Sequence, residues 1–242
     1  MKRYRFALGI LIAALAVSAV LLVQRIKAAD PTQARVRVVH AVPGGPTVDL
    51  WVDGSEASTG ISYTTVTTYV NLSAGPHTVQ VIPSLLPIPI ISETVVLTGG
   101  MDLTIAGVGQ GLSITSLFLE DNNSPSNSNT ARLVHLSPDT SAIDVAISGT
   151  VTSATASNIA FKGASDYIGG LGVGMTSFEV RPAGQITPLL TFSRTLGSDT
   201  INTFFIMGLN NLPGSLLYPL QAVHSVDQRF IIVYLPVVLK GG

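Results

Sequence analysis

Apolar and polar residues alternate with a period of two along much of the chain. Val48, Leu50 and Val52 interleave with Asp49, Trp51 and Asp53, Val79 and Val81 with Thr78 and Gln80, and Phe178 and Val180 follow the same rhythm. This period sends successive side chains to opposite faces of a strand, and beyond residue 29 no long window keeps a helical stripe. Gly and Pro punctuate the pattern about every 8 to 12 residues, as in PGGP, AGP, TGG and GQG, the spacing of an antiparallel sandwich. The pattern predicts strands over 35–41, 47–53, 61–71, 77–82, 92–97, 102–108 and 112–119.

One run breaks the rhythm. Phe6 to Val23 carries no charge, with Lys2, Arg3 and Arg5 before it and Arg25 and Lys27 after it. A basic flank followed by an apolar run is an export signal. As a helix it would be roughly 27 Å long, close to the hydrocarbon thickness of a bilayer. Residues 1–29 are therefore read as a signal peptide or an uncleaved anchor, with membrane contact only through residues 6–23 if it is kept. Ala28 and Ala29 are small, but neither completes an Ala-x-Ala site. The expected location is extracellular or at a cell surface.

The chain is internally duplicated. Arg37 to Gly54 aligns with Arg132 to Gly149 at an offset of 95, with Arg37/Arg132, His40/His135, Pro43/Pro138 and Asp49/Asp144 identical. Leu72 to Pro83 aligns with Leu171 to Pro182 at an offset of 99, Tyr69/Tyr167 lies just upstream, and Thr104/Thr203 and Gly109/Gly208 keep the later register. Between the copies DNNSPSNSNT, residues 121–130, has no apolar side chain and reads as a linker. The resulting plan is a domain over 34–120, a linker, a second domain over 131–225 and a β-prone extension over 226–242. The run from Phe230 to Leu239 would add an edge strand, or alternatively serve as a recognition or attachment tail. The fold class is all-β: two tandem immunoglobulin-like antiparallel sandwiches behind an export helix.

Composition narrows the chemistry. Among 242 residues there is no Cys, which excludes disulfides and thiolate ligands, and 46% are hydrophobic, enough for a core. Without residues 1–29 the chain keeps eight Lys and Arg against fourteen Asp and Glu. A net charge near −6 lacks the basic footprint that nucleic acid requires, so the expected partners are an envelope protein or polysaccharide.

VRVVHAVPGGPTVDLWVDG, then Y-x-x-L-x-A-G-x-H-x-V-x-V and L-T-x-G-x-x-x-T, resembles family 4397 of the domains of unknown function. The resemblance implies tandem sandwiches in an exported bacterial protein and brings no catalytic or ligand residues. The second copy is the weaker match, with ISG in place of V-D-G and LGVGM in place of L-x-A-G-x-H.

Candidate chemistry is sparse. His40 and His135 with Asp49 and Asp144 suggest acid–base pairs or half a metal site, yet neither copy adds a nucleophile or third ligand at matching spacing. The reading favoured here is structural: these residues, with Pro43 and Pro138, hold the crossing from the first to the second strand, and Arg37 and Arg132 pair with the same Asp residues. Trp51 between Asp49 and Asp53 suggests a sugar-stacking site in the first copy only. Asp49, Asp53 and Glu56 lack a Ca²⁺ loop, and His77 and His224 have no clustered partners. G-V-G-Q-G at 107–111 opens no helix, and Asn71-Leu72-Ser73 is an isolated sequon. The expectation is a non-enzymatic structural, adhesive or partner-binding envelope protein without cofactor or metal; the alternative is a carbohydrate-binding accessory protein using Trp51.

Overall fold

The structure is a computed structural model in which residues 32–122, 128–148, 155–211 and 215–227 are described. The export run and the stretch from Phe230 to Leu239 lie outside these residues. Among the described residues there are no helices, hence none long and apolar enough to cross a membrane.

The first domain is built from β1 (Gln33–Ala41), β2 (Val48–Val52), β3 (Ser55–Ile61), β4 (Val70–Ser73), β5 (Gly75–Pro83), β6 (Ile91–Leu97), β7 (Asp102–Gln110) and β8 (Ser113–Glu120). The second contains β9 (Asn129–His135), β10 (Ile143–Ile147), β11 (Ala156–Ile159), β12 (Ile168–Leu171), β13 (Gly174–Pro182), β14 (Leu190–Leu196), β15 (Ile201–Met207) and β16 (Gln221–Val226). Each domain is a sandwich of two four-stranded sheets. Their orders are β4-β1-β7-β8 over β3-β2-β5-β6, and β12-β9-β15-β16 over β11-β10-β13-β14.

The sandwich class stands, but three details differ from the sequence reading. The pairing is not wholly antiparallel, because β1 runs parallel to β7 and β9 parallel to β15. Among the described residues each domain has eight strands, since the stretch predicted as 61–71 leaves the outer sheet at Ile61 and rejoins the inner one at Val70. The proposed linker begins and ends inside folded structure: Asp121 is buried, and Asn129 and Thr130 belong to β9. Likewise Val226, assigned to the extension, closes β16 opposite Asn202.

Alternation explains the cores. Val36, Val38, Leu50, Val79, Val81 and Ile105 point between the sheets of the first domain, while Phe178, Phe192 and Phe204 lead the second core with ring centroids 5.0–5.3 Å apart. Toward the loop ends the intervening positions of β1, β7, β9 and β15 are mostly apolar as well. Val39, Ala41, Ala106 and Val108 meet Val134, Leu136, Phe205 and Met207 in a third core, so the inner sheets of the two sandwiches pack face to face. These four strands are buried on both faces, which is why apolar residues there do not simply alternate with polar ones. Each fully buried Val, Leu or Phe contributes about 1.5–3 kcal/mol.

Candidate functional site

The residues shared by the two copies first secure their own loops. His40 lies at the end of β1, where its Nε2 is 2.8 Å from the Pro46 carbonyl and its Nδ1 accepts the Val42 amide at 3.3 Å. His135 does the same at the end of β9, with Nε2 3.2 and 3.1 Å from the Thr140 and Ser141 carbonyls and the Ser137 amide on Nδ1. A nitrogen facing a carbonyl must donate and one facing an amide must accept, so in both rings Nε2 is the donor and Nδ1 the acceptor. Burial pushes His135 below the usual histidine range, against the pull of those carbonyls.

Asp49 and Asp144 lie on the outer sheets and bind an edge strand and a loop rather than His or Arg. Asp49 Oδ1 accepts the Gly60 amide at 2.8 Å and the Ser84 hydroxyl at 3.0 Å. Asp144 accepts the amides of Asn158 and Gly184 at 2.7 and 2.8 Å. The expected pairing of Arg37 and Arg132 with these aspartates is therefore corrected: both arginines face the opposite sheet surface, between the domains.

Trp51 is half-buried on the outer face of β2, opposite Gln80 and Glu56. Its neighbouring carboxylates are already engaged. Asp53 takes the Thr78 amide at 2.8 Å and His77 Nδ1 at 2.6 Å, and His77 Nε2 reaches the Ser73 carbonyl at 2.9 Å. His77, read as lacking a clustered partner, bonds the Asp53 carboxylate, and that bond raises it above the usual histidine range. His224 stacks on Phe204 at 4.8 Å with Nε2 2.8 Å from Asn202 Oδ1, and burial lowers it. Among the described residues no group of three His, Asp or Glu is placed to hold a metal.

The principal polar centre lies between the sandwiches. Val36 and Val38 face one way from β1, so Arg37 faces the other and meets the second domain. Its Nη2 is 2.6 Å from Asp227 Oδ1 and 3.4 Å from Asp121 Oδ2, and Nη1 reaches the Ser225 hydroxyl. Arg132 mirrors it, with Nη2 on Asp121 and 3.8 Å from Asp227 Oδ2. Both guanidinium Nε groups donate to a threonine on the parallel neighbour strand, Arg37 to Thr104 at 2.7 Å and Arg132 to Thr203 at 2.9 Å. Each aspartate also takes hydroxyls from its own domain: Asp121 from Tyr69 at 2.6 Å and Thr104 at 2.5 Å, Asp227 from Tyr167 at 3.1 Å and Thr203. The tyrosine rings lie 4.7 Å beneath Arg37 and 5.0 Å beneath Arg132.

The arrangement is exchanged. Each aspartate collects a tyrosine and a threonine from its own sandwich and an arginine from the other. Two guanidinium and two carboxylate groups balance in charge, and all four residues are at least 95% buried. Residues 34–146 match the family described as Domain of unknown function (DUF4397). This segment belongs to DUF4397. No curated protein matches the chain.

The DUF4397 segment spans the whole first sandwich and runs through β9 into β10, so it contains Arg37, Asp121 and Arg132. Asp227 lies outside it. Burial alone would lower Arg37, but Asp227 and Asp121 outweigh it and hold the guanidinium protonated. Burial pushes Asp227 upward against the pull of Arg37, and Asp121's like charge adds to the push. Tyr69 and Tyr167 are raised by burial and stay neutral donors.

Sequence reasoning singled out Arg37, Arg132, Tyr69/Tyr167 and Thr104/Thr203 as repeated positions without joining them, and it placed Asp121 in a linker and Asp227 in a tail. The available signal was an Asp directly after the last strand of each copy. Its offset of 106 departs from the register of 95 to 99 because the loop before β16 is longer.

Proposed function

We propose that this protein is a non-enzymatic, exported tandem β-sandwich module of the bacterial cell envelope or exterior, serving a structural, adhesive or partner-binding role. The observation that carries the reading is the exchanged clamp of Arg37 with Asp227 and Arg132 with Asp121, which couples the two sandwiches into one body. The duplicated His and Asp residues support it, since their polar atoms are taken up by backbone of neighbouring loops and edge strands rather than turned toward a shared cleft. The second sandwich is read as a second copy of the family because it repeats the strand order and the Arg, Thr, Tyr and Asp quartet of the first. Export rests on the basic and apolar pattern of residues 1–29.

The test is N-terminal sequencing of the protein recovered from culture fluid, membrane and cytosol of the native cell. Recovery outside the cytosol, beginning near residue 30 or with residues 6–23 in the membrane, supports the reading. A cytosolic pool starting at Met1 overturns it.

A further inference from the structure

The two sandwiches point the same way. β1 and β9 run toward their loop ends, and Gly44 at that end of the first domain sits 3.7 Å, measured from an added Cβ, from the Tyr218 ring at the same end of the second. Tyr63 stacks edge-on against Tyr218 at 5.5 Å, while the Arg and Asp clamp and both ends of the described chain lie at the opposite end. The hairpin tips β5–β6, β7–β8, β13–β14 and β15–β16 therefore emerge together. They carry Leu85 (94% exposed), Leu86 and Ile88, then Leu112 (92%), Ile186, and Leu216 (97%) with Leu217.

We propose that this loop end docks on a zwitterionic lipid bilayer, inserting its apolar tips into the interface. The idea deepens the binding-module reading, on which it rests for the chain's meeting a lipid surface, and three observations favour lipid over other occupants. First, residues 84–90, 111–112, 183–189 and 215–220 contain no Lys, Arg, Asp or Glu, while the chain beyond residue 29 is acidic. The tips themselves carry no positive charge to draw them to an anionic surface, Lys162 at the same end is engaged by the Thr115 hydroxyl of β8, and a neutral headgroup layer carries no repulsion. Second, the exposed apolar residues sit on four different hairpins. A fluid interface accepts such an outline without matching its shape, and binding scales with the apolar area it takes in.

Third, the β5–β6 tip satisfies most of its backbone donors within the protein. Pro83, Pro87 and Pro89 have no N–H, and Ser84, Leu86, Ile88 and Ile90 donate theirs to Thr47, Pro83, Leu86 and Val81 at 2.8–3.0 Å. In the second domain Ala183, Gln185 and Leu189 donate to Ala142, Pro182 and Val180, and Pro188 has no N–H. Hydrocarbon offers no hydrogen-bond partner, so a loop entering it must bring its own. The prolines also pre-set the backbone, which reduces the ordering cost of insertion.

The chain has no cysteine, so single dyes can be placed by Leu85→Cys, Leu216→Cys and, at the opposite end, Val173→Cys. Full chain held in unlabelled phosphatidylcholine nanodiscs is mixed with phosphatidylcholine vesicles carrying acyl-chain nitroxides. Quenching of roughly twofold is expected at positions 85 and 216 and none at 173, and Leu85→Ser/Leu86→Ser/Ile88→Ser should weaken vesicle binding about tenfold. Absent quenching at the tips, equal quenching at 173, or stronger binding to phosphatidylglycerol vesicles overturns the proposal. So does a tip emission shift that grows with protein concentration without vesicles, which assigns the surface to a second copy. Any of these results in a chain still exported leaves the binding-module reading in place.

Discussion

Arg37 and Asp227 are 190 residues apart in sequence, yet the guanidinium Nη2 and the carboxylate Oδ1 meet at 2.6 Å in a site closed to water. Removing one member of such a pair leaves the other charge buried without its partner, and that penalty, more than the lost attraction, sets the cost. Asp227→Ala should destabilise the protein by about 3–5 kcal/mol, and the double variant Arg37→Met/Asp227→Leu should lose less than the sum of the single changes. In urea the parent is expected to unfold in one transition and Asp227→Ala in two, as the sandwiches separate. An unchanged midpoint for Asp227→Ala would refute the coupling role of the clamp.

Tyr69 and Tyr167 donate to the two aspartates from equivalent positions, at 2.6 and 3.1 Å. Tyr69→Phe keeps the ring beneath Arg37 but removes the donor, and hydrogen bonds to charged groups are worth about 1.5–3 kcal/mol. The expected order in denaturant midpoint is parent, then Tyr167→Phe, then Tyr69→Phe, following bond length. A reversed order would mean that the rings rather than the hydroxyls matter.

Gly109 and Gly208 close equivalent hairpins at φ of +132° and +109°. A Cβ would sit 1.9 Å from the Ser113 carbonyl oxygen at the first and 2.2 Å from the Pro219 carbonyl oxygen at the second. Backbone cannot yield as a side chain can, so Gly109→Ala and Gly208→Ala should each cost about 3 kcal/mol or more. Gly54 has φ of +76° and nothing within 4 Å of an added Cβ. Gly54→Ala should therefore cost only the left-handed strain, about 1–2 kcal/mol. Thermal unfolding of the three variants checks the contrast.

The histidines give stability opposite dependences on pH. His77 is raised above 6.5 by Asp53, so its contribution is full below 6.5 and is lost as pH rises through the folded value. Asp53 is lowered below 3.8 by the same bond, so its share is present above 3.8 and lost as pH falls. His135 and His224 are lowered by burial, and their contribution is present above 6.5 and lost as pH falls toward their folded values. The stability gap between parent and His77→Gln should be widest between pH 3.8 and 6.5 and should close on the alkaline side. A gap that widens with alkalinity would contradict the ion pair.

What the sequence determined by itself was local or repetitive. Alternation along β2, β5 and β13 marked strands because each side chain is sorted by the face its own backbone position presents. The duplication was legible because equivalent turns need the same residues, such as Gly109 and Gly208 where only hydrogen fits. The tertiary structure decided what alternation cannot carry. β1 and β7 lie parallel, Asp121 is buried rather than in a linker, and Arg37 chooses Asp227 over Asp49, because the inner sheets are covered on both faces by partners far along the chain. Arg37 follows the period of its strand, but the period says only which way it faces. Its partner is set by what the other sandwich places there, a contact across 190 residues that no nearest-neighbour pattern encodes.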